Sequence, residues 1–135
     1  MRLNKAALAR LSGSVRRPSF DPATVKCGIV HLGIGAFHRA HQAVYTDAAI
    51  AAAGGDWGIV GVSMRKPDVA EALAPQDGLY TVELLDAQPS YRVVGAVRRA
   101  LTLPAATSDR LQCQDEKNPA RRMHPGNSLS PTMSG

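Results

Sequence analysis

Lys26-Cys27-Gly28-Ile29-Val30-His31-Leu32-Gly33-Ile34-Gly35-Ala36-Phe37-His38-Arg39 passes from a short, mostly apolar run through two glycines into a segment that favours helix. Ile29 to Leu32, stopping at glycine, predict a buried parallel strand. Ala36 to Ala53 are alanine-rich, place Phe37, Ala40, Val44, Ala48 and Ala51 three and four apart, and stop at Gly54-Gly55, which predicts one helix with a glycine stop. Outward from there, Trp57 to Ser63 read as a second strand. Pro67 opens a short helix whose apolar stripe is Val69, Ala70 and Leu73 and which Pro75 terminates. Gln76-Asp77-Gly78 predict a turn. Leu79 to Leu85 and Tyr91 to Leu103, separated by Asp86 to Ser90, predict a third parallel strand followed by a hairpin return. Strands alternating with helices at this spacing predict an α/β fold, a doubly wound parallel sheet rather than a sandwich or a bundle.

Gly33-Ile34-Gly35-Ala36-Phe37-His38 follow a predicted strand and open a predicted helix, the context in which a glycine turn cradles a dinucleotide. Gly33 makes the tight turn, Gly35 lets the backbone approach a pyrophosphate, and the N–H groups at the helix start hold the phosphates. His38 stands where the third glycine of that pattern falls. Its imidazole either pushes the helix off the strand or fills the space beside the phosphates. His38 and His41 are three residues apart, a spacing that suits a metal, yet no carboxylate or cysteine accompanies them within a turn, and Arg39 attracts an anion instead. The second strand ends on Ser63-Met64-Arg65-Lys66 without the carboxylate that usually receives the adenosine ribose. Arg65 and Lys66 suit a ribose 2′-phosphate or stacking on adenine, and Asp68 reaches the ribose if the turn is tight, so NAD and NADP both stay open.

The 135 residues are 44% hydrophobic and 20% charged, enough for one modest core. No stretch approaches the roughly 18 to 20 apolar residues that span a bilayer, and the first twenty residues hold no signal-peptide core. Cys27 and Cys113 are too few for a disulfide scaffold and read as belonging to a reducing, cytoplasmic compartment. The net charge of +5 sits in the leader, where Arg2, Lys5, Arg10, Arg16, Arg17 and Lys26 face only Asp21. With Phe20 as its one aromatic platform, the leader reads as a solvated face rather than a nucleic-acid surface. Its Arg-rich composition also resembles an organellar transit peptide. Residues 106–135 contain no Val, Ile, Phe, Tyr or Trp and carry Pro119, Pro125 and Pro131, which predicts a disordered tail. The expected organisation is a basic leader over 1–24, a partial nucleotide-binding domain over 25–105 and a tail over 106–135.

Gly28 to Tyr45, and above all Phe37-His38-Arg39-Ala40-His41-Gln42, resemble the N-terminal signature of the mannitol dehydrogenase family, the polyol-specific long-chain dehydrogenases that include fructuronate and tagaturonate reductases. The resemblance spans about residues 3–105 and takes in the leader, which argues against a transit peptide. It implies the N-terminal part of a Rossmann-like sheet. It also implies hydride transfer between NAD, or NADP, and a sugar alcohol, keto-sugar or hexuronate, without zinc, in the cytoplasm, and with neither nucleic acid nor membrane as partner. The residues carried over are those of the nucleotide site: Gly33, Ile34, Gly35, Ala36, Phe37, His38 and Arg39 at the phosphate turn, and Ser63, Met64 and Arg65 near the adenosine. The family's lysine base and its asparagine and histidine partners come from a C-terminal half that nothing here matches, so no catalytic and no metal residue is assigned. The expectation is a truncated or frame-shifted product, inactive alone, whose first strand lacks neighbours to cover its edge. A non-catalytic nucleotide-binding or interaction module is the competing expectation.

Overall fold

Gly58–Ser63 is buried at all six positions, as a strand with neighbours on both sides and cover on both faces must be. Ile59, Val60 and Val62 are each at most 1% exposed, and burying each contributes about 1.5–3 kcal/mol. The computed structural model describes residues 2–103. Along them run α1 (Lys5–Leu8), β1 (Val15–Arg16), β2 (Cys27–Leu32), α2 (Ala36–Ala40), α3 (Gln42–Ala53), β3 (Gly58–Ser63), α4 (Asp68–Leu73), a 3-10 turn (Ala74–Gln76), β4 (Tyr80–Leu84), β5 (Ser90–Val94) and β6 (Val97–Thr102). The sheet β2-β3-β6 is parallel throughout, with β3 in the middle. This is the predicted α/β architecture, a Rossmann-like parallel sheet with helices in its crossovers. Among the described residues β2 is an edge strand, and Val30 and Leu32 on it are 53% and 63% exposed.

The third parallel strand is β6, not the Leu79–Leu85 stretch the sequence suggests. Tyr80–Leu84 instead pairs antiparallel with Ser90–Val94, and the hairpin lies in a second sheet, ordered β1-β5-β4. The expected single return strand, Tyr91 to Leu103, divides at Gly95-Ala96, where the Gly95 N–H donates to the buried carboxylate of Asp47 at 2.7 Å rather than to a strand neighbour. Val94 closes one sheet and Val97 opens the other, both fully buried, and they share one core cluster with Ile34, Ala43, Ile50, Ile59, Leu73 and Tyr80.

The single helix expected over Ala36–Ala53 is two. It breaks at His41, whose backbone leaves helical geometry at φ −121°, ψ −77°. Just before the break, the Arg39 carbonyl accepts a 2.7 Å hydrogen bond from the Tyr80 hydroxyl, so a contact from β4 holds α2 in its own direction. The predicted glycine stop stands: Gly54 has φ +67° and its N–H donates to Ile50 O at 2.8 Å. The buried face differs from the predicted stripe. Ala43, Asp47 and Ile50 face the core, whereas Phe37 is 79% exposed and Ala48 and Ala51 are exposed. A carboxylate in the middle of the inward face hides that face from any hydrophobic periodicity.

The leader, to which the sequence reading assigns no element, folds onto the domain. Asn4 caps α1 by accepting from the Ala7 N–H at 2.8 Å, Ala7 is 3% exposed, and β1 pairs parallel with β5 through Val15↔Tyr91 and Arg16↔Arg92. The predicted tail, 106–135, lies outside the described residues.

Candidate functional site

Three parallel strands end side by side, and the loops that follow β2 and β3 lie at that edge of the sheet, where open α/β sheets bind their ligands. The Gly33 N–H donates to Val62 O at 2.8 Å and the Ile34 N–H reaches the same oxygen at 3.4 Å. The Leu103 N–H donates to Ser63 O at 3.1 Å. The first two bonds tie the turn after β2 to the end of β3, so the two groups of residues that the sequence assigns to a nucleotide are neighbours, and the third ties the end of β6 to the same strand.

Within the turn each residue has its own task. Gly33 has φ +96°, a left-handed conformation that side chains strongly disfavour. Ile34 turns inward, 2% exposed, and its Cδ1 occupies the place where a Cβ on Gly61 would stand, 2.2 Å from it. Only its backbone can therefore face a ligand. Gly35 is the N-cap of α2, and its backbone (φ −77°, ψ −178°) is open to any residue. A Cβ built on it meets nothing within 4 Å, so the glycine leaves free space at the helix start. Ala36 and Phe37 are exposed beside that space, and the Phe37 ring lies 4.5 Å from that of His41. Arg39 is half-buried, and its Nε donates to Gly35 O at 3.4 Å. At the end of β3 Ser63 is buried, and on the loop that follows Met64 is 48% exposed and Arg65 is exposed. Two cavities, of about 340 and 360 Å³, are lined by none of these ten residues.

His38 turns into the fold and packs against β2. It is 4% exposed, and its ring stacks on that of His31 with centroids 3.7 Å apart and planes 13° from parallel. Nδ1 lies 3.1 Å from Gln42 Oε1, so with that oxygen accepting, Nδ1 carries the proton and Nε2 presents a lone pair. Nε2 is buried without a partner. Burial first, then the neighbouring His31 and Arg39 charges, hold the His38 pKa below its ordinary value of 6.5 against the opposing Gln42 bond. His38 and His41 do not converge: one ring lies on His31 and the other beside Phe37. Among the described residues no group of three His, Cys, Asp or Glu is placed to hold a metal ion.

Acidification has a predictable sign here. The unfolded chain binds a proton on this imidazole near pH 6.5 and the folded chain only at lower pH, so the stability His38 contributes is present above that value and is lost as pH falls through the folded pKa. The urea midpoint is expected to decline between about pH 7 and pH 5, and His38→Gln should flatten that decline. An unchanged slope in the variant assigns the pH dependence to other groups.

The sequence reading gives no role to His31, Gln42 or Tyr80, which stack, lock and brace the turn. Tyr80 is buried, and its hydroxyl is pushed above its ordinary pKa by that burial, so it stays a neutral donor to Arg39 O. Nothing local in the sequence marks it, because it lies 41 residues from its partner.

The model of the mannitol dehydrogenase Rossmann domain matches residues 27–118, running beyond the 105 at which the sequence resemblance stops. A mannitol 2-dehydrogenase of Cereibacter sphaeroides is 50% identical over 91 residues, 64% of this chain and 19% of that protein. D-mannonate oxidoreductase of Escherichia coli is 41% identical over 91 residues, covering 64% of this chain and 19% of the relative. The structure of Pseudomonas fluorescens mannitol 2-dehydrogenase in ternary complex with NAD and D-mannitol superposes with a TM-score of 0.71 at 41% identity, over 76% of this chain and 22% of that one. The chain thus spans about a fifth of the length of the curated relatives it matches. On the strength of the domain match and of the fold that bears it out, the chain belongs to the mannitol dehydrogenase family.

Proposed function

We propose that residues 27–103 form the NAD-binding part of an oxidoreductase that transfers a hydride between NAD, or NADP, and a sugar alcohol or hexuronate. The observation that carries this reading is the turn itself. Gly33 reverses the chain at the end of a parallel strand, and Gly35 leaves open the space at the start of α2 where a phosphate would approach. The backbone of Gly33 to Phe37 and the side chain of Arg39 hold the pyrophosphate in this reading, and Ser63, Met64 and Arg65 border the adenosine. His38, neutral and wedged against His31, fixes the angle at which α2 leaves the sheet. NAD, when bound, supplies the hydride acceptor. No residue of this chain is assigned a catalytic role, so the reading predicts cofactor binding without turnover. The NAD and D-mannitol of the Pseudomonas complex support the cofactor and the polyol, and the name of the E. coli mannonate enzyme supports an acidic sugar derivative as the alternative substrate. A cytoplasmic setting, without nucleic acid or membrane partners, belongs to the same reading. No helix among the described residues is long and apolar enough to cross a membrane.

The test is a titration of the purified chain with NADH and with NADPH, followed by nicotinamide fluorescence and by thermal midpoint, since a ligand that binds only the folded state raises its stability. Saturable binding is expected, and Gly35→Asp should weaken it at least about a hundredfold by placing a carboxylate where the phosphates approach. A folded chain that binds neither nucleotide overturns the proposal.

A further inference from the structure

The leader's excess charge has a structural setting that the nucleotide reading does not use. Arg16 and Arg17 line a cavity of about 340 Å³ together with Pro18, Ser19, Arg92 of β5 and the Asp47–Ala52 side of α3. Arg16 and Arg92 are register partners on adjacent parallel strands, so like charges stand directly across from each other, an arrangement that repels unless something neutralises it. The carboxylate in the cavity wall is already committed. Asp47 Oδ2 accepts from Arg92 Nη2 at 2.9 Å and Oδ1 accepts from the Gly95 N–H at 2.7 Å. Arg17 donates through Nη2 to Leu11 O, a neutral partner. The Arg16 guanidinium has no hydrogen-bond or ion-pair partner among the described residues. Three guanidinium groups therefore line the cavity beside one carboxylate that only Arg92 engages, and the far wall is formed by Ala48, Ala51 and Ala52, whose small side chains leave room.

We infer that this cavity binds a small dianion, either a phosphate group or a dicarboxylate, between the Arg16 and Arg17 guanidinium groups and against the alanine side of α3. Guanidinium forks match paired oxygens of either group, and the charge that the site lacks is negative. Ser19 adds a hydroxyl to the lining. The site shares no lining residue with the nucleotide turn, so its occupation is independent of the reading proposed above.

The experiment uses the 135-residue chain, titrated with inorganic phosphate and separately with succinate, against sodium chloride at equal ionic strength. Arginine Nε–Hε resonances and the thermal midpoint are followed. Saturable shifts of the Arg16 and Arg17 signals are expected, with affinity about tenfold weaker in Arg16→Gln, the loss of one charge-assisted contact. A response to phosphate alone identifies a phosphate ligand, and one to succinate alone a dicarboxylate. Gly35→Asp should leave the binding intact; if it abolishes it, the anion sits at the nucleotide turn and the inference fails. Ala48→Glu, which puts a carboxylate into the cavity from α3, should raise the thermal midpoint and remove the anion response even if Arg16→Gln does not fold. The inference is overturned if neither anion acts beyond chloride, or if Arg16→Gln and Ala48→Glu both bind as the parent does.

Discussion

Asp47→Ala is expected to cost about 3–5 kcal/mol of unfolding free energy, enough to unfold a domain of this size under ordinary conditions. Asp47 is 2% exposed and touches two elements at once, the Arg92 guanidinium on β5 and the Gly95 N–H in the link to β6. Removing the carboxylate leaves a mostly buried cation and a buried amide donor without partners, and the second penalty adds to the first. Denaturant titration of the parent and the variant measures the loss directly. The double variant Asp47→Leu with Arg92→Met should recover part of it, because an apolar pair avoids the orphaned charge. A loss below about 1 kcal/mol in Asp47→Ala shows that water takes over both partners and that this pair does not hold the second sheet to α3.

Gly61→Val should abolish dinucleotide binding while reducing stability by about 1–3 kcal/mol, the usual cost of overpacking. A Cβ on Gly61 falls 2.2 Å from Ile34 Cδ1, 2.8 Å from Cγ1 and 2.9 Å from Cβ, so rotating the far end of Ile34 does not relieve the contact. Gly61 lies in the fully buried β3, which cannot give way without disturbing both of its neighbours. The remaining adjustment is to lift Ile34, and Ile34 stands between the two glycines of the phosphate turn. Titration with NADH reads the consequence. Shortening the partner, Gly61→Val with Ile34→Ala, restores room and should return most of the affinity. If the single variant binds NADH as the parent does, the turn is not positioned by this contact.

Much of this arrangement is written locally. The apolar run of β2, the glycine turn after it, the glycine stop at Gly54 and the second strand through Ser63 all depend on residues within a few positions of one another, which is the range over which propensity and φ preference act. The exchange of strand roles between the two β-rich stretches is not local. Leu79 to Leu85 and Val97 to Thr102 are equally strand-like, and the link between the two sheets is held by contacts distant in sequence, the Gly95 N–H on Asp47 and the Ala96 carbonyl on the Ile59 N–H. The buried face of α3 is hidden from the local sequence for a related reason. Alanine offers little contrast between sides, and the inward side carries a carboxylate whose partners lie 45 and 48 residues away.

The ten candidate site residues divide in the same way. Gly33 and Gly35 are legible because backbone geometry and free space are properties of glycine itself. Whether Ile34 and His38 face a ligand or the interior is decided by Gly61 and His31, which meet them only after the strands align. From the sequence alone come the element types, the glycine turn, the charge of the leader and the membership that its wording implies, since each rests on side-chain chemistry at short range. The tertiary structure decided the strand order, the break at His41, the buried face of α3 and the inward turn of His38, because each follows from a contact between segments that chain distance keeps apart until the core closes.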